Sequence, residues 1–179
     1  EFRKCDIKDR FRKQTINRVV SGMRNFGRSL RSFHEGSSVN TRFDAGKILD
    51  KFDEYFDVLE YFGVNSKFLK NVRSRSRIHK SYNADTLIVN NLKGIDIRQL
   101  LVKKNGKISI IDPGKITRSY LDVDLARFIV TCRILYWGTF LIPIRFMPSS
   151  KYEKAFLDAY YGSKRVSNKI LNILILKEL

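Results

Sequence analysis

Apolar residues recur along the first third of the chain at helical spacing. Val19, Met23, Phe26, Leu30 and Phe33 follow one another at intervals of 4, 3, 4 and 3. That spacing predicts one apolar stripe on a helix from about Lys13 to His34, stopped by Gly36 and the serines after it. A second helix is expected over Asp44–Tyr61, with Ile48, Leu49, Phe52, Phe56 and Leu59 facing the core, and Gly63 and Asn65 mark its end. The aromatic residues of Phe52–Phe62 read as core for the same reason. A short helix around Phe68, Leu69 and Val72 leads into the basic run Lys70–Lys80.

From Ile78 to Ile116 the period changes. Short β-rich runs stand at Thr86–Val89, Leu100–Lys103 and Lys107–Ile111, with Asn105-Gly106 between the last two. Asn-Gly between β-branched runs is the strongest local signal for a hairpin. Helices return over Asp122–Leu135, Lys151–Tyr161 and Ser167–Leu179. The chain therefore reads as one mostly helical α+β unit over residues 1–179. Helices fill about 13–75 and 122–179, and a small β unit fills about 78–116.

Composition narrows the classes. Hydrophobic residues make up 43% of the 179, enough for a packed core. Thirty-five basic against 18 acidic residues give a net charge of +17, a balance that suits an anionic partner such as nucleic acid or a membrane surface. Cys5 and Cys132 show no zinc-ligand or disulfide spacing and fit reduced thiols. The charged start does not resemble a signal peptide. The longest apolar run, Ile134–Ile144, is too short to span a bilayer, so no transmembrane segment and a cytoplasmic location are expected.

The chemistry-bearing stretch is Gln99–Gly114. A hairpin ends in Asp112-Pro-Gly114, and its apolar second strand delivers Asp112 at its C-terminal end. A carboxylate there can hold Mg²⁺ against nucleotide phosphates. This stretch resembles the segment of protein kinases and related phosphotransferases in which a catalytic-loop Asn precedes an aliphatic triplet, a hairpin and then Asp-Phe-Gly. Gln99 stands at the Asn, Leu100–Val102 at the triplet, and Asp112-Pro-Gly114 at Asp-Phe-Gly, with 13 residues from Gln99 to Asp112.

Other stretches are similar to the aminoglycoside and choline phosphotransferase branch. Phe26-Gly-Arg-Ser-Leu-Arg-Ser-Phe-His34 resembles the helix after the hinge. Asp122-Val-Asp124-Leu-Ala-Arg-Phe resembles the Asp-Leu-Ala helix, and Ala155-Phe-Leu-Asp-Ala-Tyr-Tyr-Gly162 the late Tyr-Gly helix. The resemblance covers roughly residues 20–162 and implies the C-terminal lobe of a protein-kinase-like fold.

The catalytic loop departs from the pattern. In the family an Asp lies five residues before the Asn. Counting back from Gln99 reaches Gly94, which has no side chain to act as a base. Either Asp96 serves from an altered loop, or Asn91-Leu-Lys-Gly94 replaces Asp-Leu-Lys-Pro with three extra residues before Gln99. A rival frame places the motif at Ile78–Val89, with Ser81 and Thr86 in place of the acid and the amide. It leaves 26 residues before Asp112.

The resemblance implies roles. Asp112 would bind Mg²⁺, Gln99 would supply an amide oxygen to a second metal, Asp96 would orient or deprotonate the acceptor hydroxyl, and Lys93 or Arg98 would neutralise transferred phosphate. The expected reaction moves the γ-phosphate of ATP to a small hydroxylated acceptor. An inactive, pseudokinase-like binding module is the alternative, using a basic surface toward nucleic acid, anionic membrane or a protein. Asp124 reads as a structural helix-start residue, and His34 and His79 as packing or surface residues. No Gly-rich phosphate loop occurs in these residues. ATP and Mg²⁺ binding is therefore conditional on an N-terminal lobe that this stretch does not include.

Overall fold

One helix is buried on nearly every side. In the computed structural model, which describes residues 13–103, 105–137, 149–162 and 168–178, the helix that starts at Asp122 buries Val123, Leu125, Ala126, Phe128, Ile129, Val130 and Cys132. The helices over 149–161 and 168–178 pack against it, and Phe26 of the first helix meets its Phe128.

Among the described residues there are six α-helices and five strands, a mostly helical α+β arrangement. Helix α1 (Lys13–Glu35) leads into β1 (Val39–Asp44), then α2 (Ala45–Tyr61) and α3 (Ser66–Arg77). The β unit follows: β2 (Asn83–Leu92), a 3₁₀ turn (Ile97–Gln99), β3 (Leu100–Val102), β4 (Ile108–Ile110) and β5 (Ile116–Tyr120). Helices α4 (Asp122–Trp137), α5 (Ser149–Tyr161) and α6 (Asn168–Glu178) close the chain.

Local chemistry sets the helix starts. Asp44 caps α2 by accepting from the Lys47 N–H at 3.3 Å, and Asn65 caps α3 by accepting from the Phe68 N–H at 3.0 Å. On α1 the expected stripe holds. Met23, Phe26 and Leu30 are buried, and Val19 and Phe33 pack against them half-exposed. Phe26, Phe128 and Phe156 meet with ring centroids 4.6–5.3 Å apart, joining α1, α4 and α5. Helices α1 and α5 approach closely at Gly27, where a Cβ would lie 2.5 Å from the Phe156 carbonyl oxygen.

The expected hairpin is present. Strands β3 and β4 pair antiparallel with Leu100 opposite Ile110. The Gly106 N–H donates to the Lys103 carbonyl at 2.9 Å, and Gly106 takes φ +77°, as such a turn requires. The second sheet is larger than expected. It has three antiparallel strands in the order β1-β2-β5, and β2 extends well beyond Thr86–Val89.

Strands β1 and β5 were not expected. Most of their side chains face solvent, and only Phe43 is buried, so neither carries an alternating apolar face for sequence reading to detect. A second correction concerns α2: Leu59 is 41% exposed, and Tyr61 and Phe62 at the helix end are also exposed rather than core.

Cys132 is buried, and burial pushes its thiol up out of the reactive range. Cys5, Ser167, Leu179 and the run beyond Trp137 lie outside the described residues. Among the described residues no helix is long and apolar enough to cross a membrane.

Candidate functional site

The site is built outward from the start of α4. Asp122 and Asp124 are both buried there. Asp124 Oδ2 accepts from the Leu92 N–H at 2.7 Å and lies 3.2 Å from His34 Nε2. His34 Nδ1 lies 2.6 Å from the Tyr160 hydroxyl. Next door, the Tyr161 hydroxyl donates to Asp122. Burial raises the Asp122 carboxyl above its ordinary range, against the opposing effects of Tyr161 and His34. Burial likewise raises the Tyr160 and Tyr161 hydroxyls, so both stay protonated donors.

Arg127 lies one turn past Asp124 on the same helix. Its Nη1 donates to the Lys93 carbonyl at 3.0 Å, and its Nε to Glu178 of α6 at 3.1 Å. Thus α4 holds the Leu92 N–H and the Lys93 carbonyl at the end of β2. Asn91, buried just before them, donates through Nδ2 to the Val89 and Ser119 carbonyls at 3.1 Å each. Its Oδ1 is buried without a partner.

The suspended loop then meets the Asp112-Pro-Gly turn. The Lys93 N–H donates to the Lys115 carbonyl at 2.9 Å, and the Gly94 N–H to the Pro113 carbonyl at 3.3 Å. The crossing leaves no room for side chains. A Cβ on Gly94 would lie 3.1 Å from the Gly114 backbone, and one on Gly114 would lie 2.7 Å from the Gly94 nitrogen. Gly114 also takes φ +66°. Its N–H donates to Asp112 Oδ1 at 3.0 Å, closing a tight turn around an exposed carboxylate.

The residues singled out in the sequence fall into two groups. Lys93, Gln99 and Asp112 come to one end of the hairpin: the Gln99 carbonyl accepts from the Ile111 N–H at 3.0 Å, one residue before Asp112. Gln99 Oε1 is buried with no partner, so an acceptor waits there unused. Asp96 and Arg98 instead satisfy each other. Asp96 accepts from the Arg98 N–H at 2.7 Å and from its guanidinium at 2.6–3.1 Å. That pairing holds the Asp96 carboxyl below its usual range.

Ser81 and Thr86 lie far from this junction. Thr86 pairs with Thr41, six positions before Leu92 along β2, or about 20 Å at the rise of an extended strand. Of the histidines, His34 is part of the buried polar network, whereas His79 lies half-buried in a separate cleft of about 470 Å³ between α3 and α6.

Among the described residues, no group of three or more His, Cys, Asp or Glu side chains converges to hold a metal. An all-protein metal cage is therefore not available there. Mg²⁺, however, commonly uses one or two carboxylates and takes its other ligands from phosphates and water. Asp112 offers one exposed carboxylate of that kind, whereas the Gln99 amide oxygen is buried.

Sequence reading gave no site role to Arg127, Tyr160 or Tyr161; Asn91, weighed there in place of the catalytic Asp, is buried. The signal for Arg127 was its position three residues after Asp124, which puts both on one helix face. No protein-family model, curated protein or solved structure matches the chain.

Proposed function

We propose that this chain is the metal- and substrate-binding lobe of a kinase-like phosphotransferase that moves the γ-phosphate of ATP to a small hydroxylated acceptor. One observation carries the reading: the Asp112-Pro-Gly114 turn is fastened by backbone hydrogen bonds to the Lys93–Gly94 loop. The same loop hangs from Asp124 and Arg127. Phosphoryl transfer depends mainly on positioning and charge neutralisation, and a loop held from both sides supplies positioning.

In this reading Asp112 would hold Mg²⁺, which would supply charge neutralisation at the transferring phosphate, and Gln99 would turn its buried amide oxygen outward to a second metal. Lys93, exposed beside the turn, meets the phosphate oxygens. Asp96 orients the acceptor hydroxyl. As it stands, its bond to Arg98 weakens it as a base, so acting as one requires Arg98 to move onto the substrate.

The second reading, a binding module without catalysis, is favoured by two of the same details. Gly94 admits no side chain at the position counted back from Gln99, and Asp96 is already neutralised. ATP binding separates the two. In the longest native chain, the catalytic reading expects ATP to bind only with Mg²⁺ and Asp112→Ala to weaken that binding by about tenfold or more. Nucleotide binding absent from wild type, or indifferent to Asp112→Ala, would leave the binding module.

A further inference from the structure

Helix α2 carries two apolar stripes where one suffices. Ala45, Leu49, Phe52 and Phe56 are buried. Tyr55, Val58, Leu59 and Phe62 form a neighbouring stripe at i, i+3, i+4 and i+7, and all four are exposed. The end of α2 adds Tyr61, 85% exposed, and the first turn of α3 adds Phe68, 60% exposed. Of the eleven exposed large hydrophobic residues among those described, six lie between Tyr55 and Phe68. Such concentration in one corner marks an interaction surface.

The charge beside it narrows the partner. Helix α3 holds Lys67, Lys70, Arg73, Arg75 and Arg77 and no acidic residue. Arg73 is taken up by Asp53 and Asp57 of α2, and Arg77 also lies against Asp53. Lys67, Lys70 and Arg75 form no ion pair among the described residues and face solvent. Four exposed carboxylates stand on α2; Asp50 and Asp57 pair with Lys80 and Arg73, and Glu54 and Glu60 do not, so the attraction comes from α3 and from the net charge of +17.

We infer that the α2–α3 corner seats this protein on an anionic lipid surface. Tyr61, Phe62 and Phe68 enter the headgroup boundary, where aromatic rings are favoured, while Lys67 and Lys70 meet lipid phosphates. An aliphatic-aromatic stripe containing Val58 and Leu59 suits acyl chains and gives nucleic acid little to contact. The corner lies away from the Asp112 turn in sequence and shares no residue with it, so this inference stands whether or not the chain is a catalyst.

Vesicle co-sedimentation tests it. The protein is mixed with phosphatidylcholine vesicles and with vesicles in which a third of the lipid is phosphatidylserine. Binding is expected on the anionic vesicles and to fall as salt rises. The double change Tyr61→Ser, Phe62→Ser is expected to weaken it about tenfold or more. The change Lys67→Glu, Lys70→Glu is expected to erase the preference for phosphatidylserine. Circular dichroism establishes that both variants are folded, as their exposure leads one to expect. Three results overturn the inference: folded wild type that does not sediment, aromatic variants that sediment as wild type does, or a wild-type dimer that the aromatic change dissociates while vesicles capture neither form.

Discussion

The two sides of the Lys93–Gly94 loop are built differently. Beneath it, Asp124, His34, Tyr160, Asp122, Tyr161 and Arg127 form a largely buried network in which most polar groups have partners. Above it, Asp112 is exposed and Gln99 keeps an unused acceptor. The first side resembles a foundation, since unpaired buried polar groups are costly and these are mostly paired. The second side exposes its carboxylate. Changes beneath the loop should therefore cost stability, and changes above it should cost binding.

The largest expected effect is from Asp124→Ala. It strands the Leu92 N–H and His34 Nε2 inside the core, and chemical denaturation should show a loss of about 3 kcal/mol or more. Gly27→Ala should follow. Its Cβ would sit 2.5 Å from the Phe156 carbonyl, forcing α1 and α5 apart at about 1–3 kcal/mol. Neither loss appearing would mean that the foundation is not where the packing places it.

Asp122→Asn sharpens the comparison through pH. The folded carboxyl titrates above its ordinary value because it is buried. Its contribution is thus fully present below the unfolded value of about 4 and is lost as pH rises through the folded value. Asparagine cannot ionise and can still accept from Tyr161. The variant should gain on wild type between acid and neutral pH in thermal melts, and a constant difference across that range would contradict the burial argument.

The smallest effect belongs to Arg98→Ala. Arg98 holds the Asp96 carboxyl down, so Asp96 supports stability above its ordinary value and loses that support as pH falls. Without Arg98 the carboxyl should titrate nearer its ordinary value by NMR, while the melting temperature hardly moves because the pair is exposed on the Arg98 side.

Legibility differed along the same division. Helix α4 was readable because Leu125, Phe128, Ile129 and Cys132 recur at helical spacing, and α1 because its stripe is single. The hairpin was readable from Asn105-Gly106 alone. Strands β1 and β5 were not, since pairing with β2 rather than any buried alternating face defines them. Asp124 looked like any acidic residue at a helix start, which is where such residues usually cap. Only its bond to an N–H 32 residues earlier reveals that it holds the loop. Tyr61 and Phe62 misled in the opposite way: helical spacing predicts burial, but α2 has more apolar surface than the core can cover.

The proposed phosphotransferase needs Asp112 to hold a metal at the end of the hairpin, with Gln99 beside it. Paramagnetic broadening by Mn²⁺ with ATP, followed by NMR on the longest native chain, tests it directly. The account predicts broadening of the Gly114 amide and the Gln99 side-chain amide, lost in Asp112→Ala while the fold persists. Broadening that spares both, or that survives Asp112→Ala unchanged, would contradict it.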